Sequence, residues 1–275
     1  MTEPLLEVGS LTVSYRSRRR RPTAPALRDV SLSLDPGETL GIVGESGSGK
    51  STLGKAVLGL APVVSGNIRW RGRDITSATA RERRALSREI QVVFQDPYSS
   101  LNPHRTVGQS ILETLAASGE EHSTDARSRA ARLLTRVGLD PTAFDRYPRQ
   151  FSGGQRQRIA IARAVLPGPS LIICDEVVSA LDLSVQAQVI NLLTDLQTDH
   201  ELSYLFITHD LSVVRHLCRR VVVLEHGRLV EQGPTQRVLD HPEDPYTERL
   251  CLAAPVLDPD QQRTRREARR AAPAR

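Results

Sequence analysis

Residues Gly44–Thr52 read GESGSGKST, and no other stretch restricts the fold of this chain as strongly. An apolar run (Thr39, Leu40, Ile42, Val43) leads into it, and helix-forming sequence (Leu53, Lys55, Ala56, Leu58) leads out. Strand, glycine turn and helix in that order predict a loop whose backbone N–H groups converge on an anion. Glycines 44, 47 and 49 let the chain curl, and the start of the helix adds its positive dipole end. Lys50 is placed to reach the outer phosphates of a bound polyphosphate, and the Ser51 hydroxyl to ligate Mg2+. The spacing G-x4-G-K-S arises elsewhere by chance; the strand–loop–helix setting narrows it. All but two of the 37 basic residues are arginines, and one of the two lysines is Lys50. A compact ammonium fits between phosphates better than a planar fork, although Lys55 shows that the bias is not absolute.

A second such turn, FSGGQRQR (Phe151–Arg158), also opens a helix, and LIICDE (Leu171–Glu176) follows it. Its four apolar residues fit a central strand buried on both faces. Asp175 at the carboxyl end is placed to hold Mg2+, directly or through water, opposite Ser51. Glu176, one residue later and off the strand, can polarise a water aimed at the terminal phosphate. Adjacent carboxylates are common; a pair that closes an apolar run downstream of a phosphate loop is not. His209 follows another apolar strand in SYLFITHD (Ser203–Asp210), where it would face the same crevice. A lone histidine is usually a surface or satisfied core residue, and the THD context favours phosphate contact here. Gln95 ends a third strand, where an amide can ligate Mg2+ or orient the attacking water. Tyr15 closes the first strand; its flat face suits a purine, though a strand tyrosine also packs well at an edge.

The organisation predicts an α/β protein. Residues 5–15 and 27–35 alternate apolar and polar and read as antiparallel strands, with Arg16–Arg21, Pro22 and Pro25 in the loop between them. Asp35-Pro36-Gly37 is a turn into the glycine-loop strand. A helix runs from Lys50 to about Gly59, and strands follow at Asn67–Gly72 and Ile90–Gln95. From Val107 to Tyr147 the pattern is helical throughout, with stripes Leu112, Leu115, Ala116 and Ala130, Leu133, Leu134, Val137. This reads as a helical subdomain, about residues 104–165, inserted into a sheet domain that spans 1–255. From 153 to 225 helix and strand alternate, which implies a largely parallel sheet with helices on both faces. No internal repeat is visible.

Composition excludes several classes. No run of 18 apolar residues exists, so no membrane-spanning helix is expected, and MTEPLLEV does not read as a secretory leader. The cysteines (174, 218, 251) are widely spaced without a C-x-x-C, which fits a reduced protein lacking disulfide or zinc. The net charge of +5 collects in Arg16–Arg21 and in the tail from Gln261. Neither segment interleaves aromatics for base stacking, so a solvated loop and a disordered basic tail (256–275) are expected, with no nucleic-acid partner.

Together these segments resemble the nucleotide-binding subunit of an ATP-binding cassette (ABC) transporter, over roughly residues 5–255. GESGSGKST resembles the Walker A motif of that family. The resemblance therefore implies that Gly44, Glu45, Ser46, Gly47, Ser48, Gly49, Lys50, Ser51 and Thr52 surround ATP. Gln95 is similar to its Q-loop glutamine, LIICDE to its Walker B strand, and His209 to its switch histidine. FSGGQ resembles the LSGGQ signature, which implies contacts from Ser152, Gly153, Gly154 and Gln155 to nucleotide held by a second cassette. SALD (Ser179–Asp182) is similar to the D-loop and adds Asp182 to that set. By the same resemblance Glu176, His209 and Gln95 are the catalytic residues, with Mg2+ held by Ser51, Gln95 and Asp175. P-loop kinases and GTPases offer no explanation for SGGQ.

Finer segments resemble the oligopeptide/dipeptide importer group: VVFQDPYSSLNP (Val92–Pro103), DEVVSALDLSVQAQV (Asp175–Val189) and HPEDPYTERL (His241–Leu250). Phe151 replaces the usual signature leucine, an apolar exchange that should be tolerated. Val177 and Val178 replace the Pro-Thr of the wider family, as in relatives of the subgroup. Cys251 stands alone where some relatives carry a cysteine cluster, so an iron–sulfur site is unsupported. The resemblance implies an ATPase on the cytoplasmic face of a membrane, with a second cassette and integral permease subunits as partners. An extracytoplasmic solute-binding protein would act with it indirectly, and the Gln95–Pro103 loop would meet the permease. The alternative is a soluble ABC ATPase acting on nucleic acid or ribosomes. Such forms usually carry two cassettes, a long coiled-coil insertion or zinc cysteines, and none of these is visible.

Overall fold

The computed structural model describes residues 3–15, 24–96 and 100–254. The Arg16–Arg21 segment, Pro22, part of the Gln95–Pro103 loop and the basic tail lie outside the described residues. The chain divides into two compact units, one of residues 1–34, 38–76 and 206–275, the other of 35–37 and 77–205.

The first unit carries an antiparallel sheet of β1 (Leu6–Val13), β2 (Leu27–Leu34), β4 (Val63–Trp70) and β5 (Arg73–Asp74), ordered β2-β1-β4-β5. Val30, Leu32 and Leu34 keep the period of two that buries one face. Leu27 and Val30 both turn inward because Asp29, at φ 54, takes up an extra residue where the register with β1 shifts. β4 starts earlier than the expected Asn67, since it runs the length of β1 from Val13↔Val63 to Leu6↔Trp70. Its Ser65-Gly66 pair lies where that register shifts between Gly9 and Thr12.

The same unit holds β3 (Thr39–Val43), β9 (Arg220–Glu225) and β10 (Arg228–Pro234) in the order β10-β9-β3. β3 lies parallel to β9 from Leu40↔Arg220 to Val43↔Val223, and β10 returns antiparallel. Every residue of β3 is buried, as expected of a parallel strand covered on both faces. Its helices are α1 (Lys50–Val57), α7 (Leu211–Leu217), α8 (Thr235–Asp240) and α9 (Pro245–Ala253). Leu40, Ile42, Leu53, Val57, Val221 and Val222 are fully buried around the loop that joins β3 to α1. At about 1.5–3 kcal/mol per large aliphatic side chain, this core anchors both ends of the loop.

The second unit contains α2 (Ala80–Leu86), β6 (Ile90–Val93), α3 (Val107–Leu112), α4 (Thr124–Arg136), α5 (Gly153–Val165), β7 (Leu171–Asp175) and α6 (Leu183–His200). β8 (Ser203–Ile207) begins in this unit beside β7, and its last two residues belong to the first. β6 and β7 are parallel, Ile90↔Leu171 to Val93↔Cys174. The stretch from Val107 is helical in pieces, with 3-10 turns at Glu113–Ser118, Pro141–Asp145 and Pro148–Gln150. Gly119 at φ 71 closes the first of these. Ala130, Leu133, Leu134 and Val137 are buried as one stripe. The other expected stripe is shifted by the 3-10 winding: Ile111 and Leu115 are buried, Leu112 is half-buried and Ala116 exposed. The protein is therefore α/β, with a mixed, largely parallel sheet, an antiparallel sheet and helices.

Candidate functional site

Two clusters carry the chemistry, one in each unit. In the first unit the Gly44–Thr52 loop wraps the Lys50 side chain. Lys50 is 5% exposed, and its Nζ donates to the carbonyls of Gly44 and Glu45, each at 2.7 Å. Partial desolvation makes that charge count, since a pair 4 Å apart is worth about 4 kcal/mol near a protein surface against about 1 in water. Ser48 is 4% exposed, and its buried Oγ has no hydrogen-bond partner. Glu45, Ser46 and Gly47 are exposed at the rim, and Ser51 and Thr52 in the first turn of α1 are half-buried. A buried hydroxyl without a partner beside a buried ammonium, at a helix start, fits a bound anion. These residues therefore suit a phosphate group.

The loop is held by backbone more than by side chains. Gly44, Gly47 and Gly49 all have positive φ, 147, 83 and 105. A Cβ on Gly44 would run into the Leu224 carbonyl, and one on Gly49 would lie 2.7 Å from the Ala26 carbonyl oxygen. Gly227, in the β9–β10 turn, donates its N–H to Ser48 O at 2.9 Å and accepts from the Arg28 N–H at 2.7 Å. His209 follows Thr208, whose N–H donates to Ile42 O at 3.1 Å. His209, an exposed residue, thus follows the backbone bond to the end of β3 that opens the loop. Tyr15 lies two residues beyond β1 instead of closing it, and is 42% exposed.

In the second unit Asp175 is the last residue of β7, and Glu176 follows at φ 52. That left-handed residue turns the chain away from the strand. Ser179 holds the turn, its N–H and Oγ donating to Glu176 O at 3.2 and 3.0 Å. Gln95 lies two residues beyond the end of β6, because the ladder with β7 stops at Val93↔Cys174. Its Nε2 donates to Glu176 Oε2 at 3.0 Å and to Ser179 Oγ at 3.4 Å. Ser152 caps α5 in a reciprocal box with Gln155, and Gly153 and Gly154 form the first turn of that helix. A Cβ on Gly154 would lie 2.5 Å from Val185 Cγ1, so the starts of α5 and α6 touch. Asp182 caps α6; the Val185 N–H and the Ser184 hydroxyl and N–H hold its carboxyl below the usual range. Phe151 is buried beneath the Arg146 guanidinium, 4.5 Å from its ring centroid.

The sequence pattern of the family described as ABC transporter matches residues 27–179. The chain belongs to the ABC transporter family. It is 49% identical over 269 residues to a glutathione import ATP-binding protein, GsiA, of Salmonella paratyphi A, an alignment that covers 96% of this chain and 43% of that relative. The chain thus spans less than half the length of the curated relatives it matches. Among solved structures it is similar to cbiO1 of Clostridium perfringens, part of the ABC transporter complex cbiONQ, with TM-score 0.76, 28% identity, and 88% and 93% of the two chains covered. It is also similar to the ATP-binding cassette MJ0796, a dimeric post-hydrolysis structure with ADP and Pi, with TM-score 0.75, 27% identity, and 84% and 98% covered.

In this cassette, reading the sequence missed the residues that support the Walker A loop. Gly227 is one, and its EHGRL turn between two apolar strands carried a hairpin signal. Ala26 is another, and nothing in its type marks it. Tyr246 is a third: the Glu45 N–H donates to its hydroxyl at 2.8 Å.

Proposed function

We propose that this chain hydrolyses ATP and so energises an ABC importer of the oligopeptide/dipeptide group. The observation that carries the reading is Lys50, nearly buried and clasped by two carbonyls of its own loop, in a chain of this family. The loop N–H groups and Lys50 bind the phosphates, and Tyr15 meets the adenine. Ser51, Gln95 and Asp175 hold Mg2+, which when bound offsets charge on the phosphate oxygens. Glu176 takes a proton from the attacking water, and the Gln95 amide, 3.0 Å from its Oε2, sets the direction of that carboxylate. His209 contacts the terminal phosphate.

Ser152, Gly153, Gly154, Gln155 and Asp182 face nucleotide held by a second cassette, identical or paralogous. A half-exposed diglycine at a helix start, capped by Ser152, suits an anion approaching from outside. To move a pair of cassettes from 1:99 to 99:1 closed, ATP must favour closure by roughly 5.5 kcal/mol. Phosphates contacted from both sides supply interactions of that order. Separate permease subunits carry the solute, as the importer reading requires; among the described residues no helix is long and apolar enough to cross a membrane. The cassette acts on the cytoplasmic face, with Gln95–Pro103 as the contact. A relative named for glutathione import supports a peptide-like solute over a nucleic-acid or ribosome target.

Glu176→Gln tests the chemistry. The variant is expected to bind ATP like the unaltered protein while turnover falls by roughly 10²- to 10⁴-fold, the scale of a lost general base. ATPase rates near those of the unaltered protein would remove Glu176 from its role.

A further inference from the structure

The HPEDPYTERL segment is used by none of the chemistry above, yet it reaches the phosphate loop. Glu231 of β10 accepts the N–H groups of Glu243 and Asp244 at 3.1 and 3.2 Å, which fixes the approach to α9. Asp244 then caps that helix, accepting from the Tyr246 N–H at 2.7 Å, with Pro245 at its first position. Tyr246 in that first turn is 6% exposed. The Arg249 guanidinium lies 5.7 Å from its ring centroid and pairs at 3.5 Å with Glu225, at the end of β9.

The hydroxyl of Tyr246 accepts the Glu45 N–H at 2.8 Å. That N–H belongs to the same peptide unit whose carbonyl, Gly44 O, receives the Lys50 ammonium at 2.7 Å. The unit is therefore pinned from both edges, by Lys50 on its oxygen and by Tyr246 on its nitrogen. Rotation of the unit would turn the carbonyl away from Lys50 and move the ammonium that the phosphates must find.

We propose that Tyr246 is a positioning residue for nucleotide binding, holding the Gly44–Glu45 peptide so that Lys50 is presented to the phosphates. Tyr246 thereby belongs to the nucleotide cradle, although it lies in the C-terminal HPEDPYTERL segment. This rests on the reading of Gly44–Thr52 as the ATP site.

Tyr246→Phe keeps the ring and its packing and deletes only the hydroxyl that accepts the Glu45 N–H. ATP affinity, measured as Kd and as KM, is expected to weaken by about 5- to 30-fold, the effect of leaving one backbone donor unpaired. The kcat should stay within about threefold, because no reacting atom is touched. Thr247→Val, on the neighbouring fully buried residue of α9, should leave affinity unchanged. Equal weakening in both variants, or no change in Tyr246→Phe, overturns the proposal. Lys50→Ala separates this from failure of the ATP-site reading: if that variant binds ATP normally the site itself is misassigned. Amide exchange by NMR in the unaltered, nucleotide-free protein gives an independent answer. Glu45 is an exposed residue, so a slowly exchanging Glu45 N–H supports the bond and a rapidly exchanging one refutes it.

Discussion

Gly47 and Gly49 belong to one motif and both have positive φ, yet alanine should harm them unequally. At either position alanine meets the cost of the left-handed region, about 1–2 kcal/mol. Part of it is offset by about 0.4–1 kcal/mol from a less flexible unfolded chain. These contributions are common to both variants and cancel in the comparison. At Gly47, φ 83, an added Cβ meets no atom within 4 Å. At Gly49, φ 105, it would lie 2.7 Å from both the Ala26 carbonyl oxygen and Leu27 Cδ2. The oxygen is backbone one residue before β2, and cannot move without disturbing the Ala26 N–H bond to Val13 O, 2.8 Å long. Overpacking of this kind costs about 1–3 kcal/mol, so Gly49→Ala should be less stable than Gly47→Ala by that amount. For a domain of this size the gap corresponds to roughly 2–12 °C in Tm. Scanning calorimetry of both variants without nucleotide, at one scan rate, measures it. Equal Tm values, or a lower one for Gly47→Ala, would refute the idea that backbone contact, and not φ alone, constrains this loop.

Two further outcomes are expected. Ser152→Arg should abolish ATP-dependent pairing of cassettes, seen by size-exclusion chromatography with Glu176→Gln as background, while the monomer stays folded; pairing that persists would reject the two-sided phosphate site. The carboxyl of Asp182 is held below its usual range by the Val185 N–H and by Ser184, so its contribution to stability is present above about pH 4, the unfolded value. It is lost as pH falls further, through the folded value. Asp182→Asn keeps a cap but should flatten the pH dependence of Tm below about pH 4; an unchanged slope would mean that the carboxylate is not coupled to folding.

The features legible in the sequence are those that side chains announce. The glycine spacing of Gly44–Lys50 and the apolar run of β7 closing on Asp175 need no partner to be recognised. Ser152 and Gln155 three residues apart form a local cap whose geometry the spacing already contains. Strand ends were less legible, because a ladder stops where its neighbour stops. Gln95 reads as the last residue of an apolar strand, yet β6 ends with β7's register at Val93↔Cys174. Tyr15 likewise lies past β1. The stripe at Leu112–Ala116 differs for another reason: the period of 3.6 does not hold across a segment wound as 3-10 helix, which turns Ala116 out to solvent.

The supports of the phosphate loop were hidden because they work by having little or no side chain. Gly44 and Gly49 leave room for the carbonyls of Leu224 and Ala26 that a Cβ would run into, Gly227 donates its N–H to Ser48 O, and Arg28 donates to Gly227 O. The carbonyl contacts are made by backbone, and any residue type supplies a carbonyl, so Ala26 and Leu224 carry no mark. Such a socket has stiff walls, since neither partner has a rotamer to yield. The consequence is energetic: a loop already held in its binding shape loses little conformational freedom when phosphate arrives, and more of the contact energy is expressed as affinity. Tyr246 adds a side-chain hydrogen bond to this support, on the peptide unit that also holds Lys50. Tyr246 fixes that unit without touching a reacting atom, which is why losing its hydroxyl should register in ATP affinity while leaving the chemical step alone.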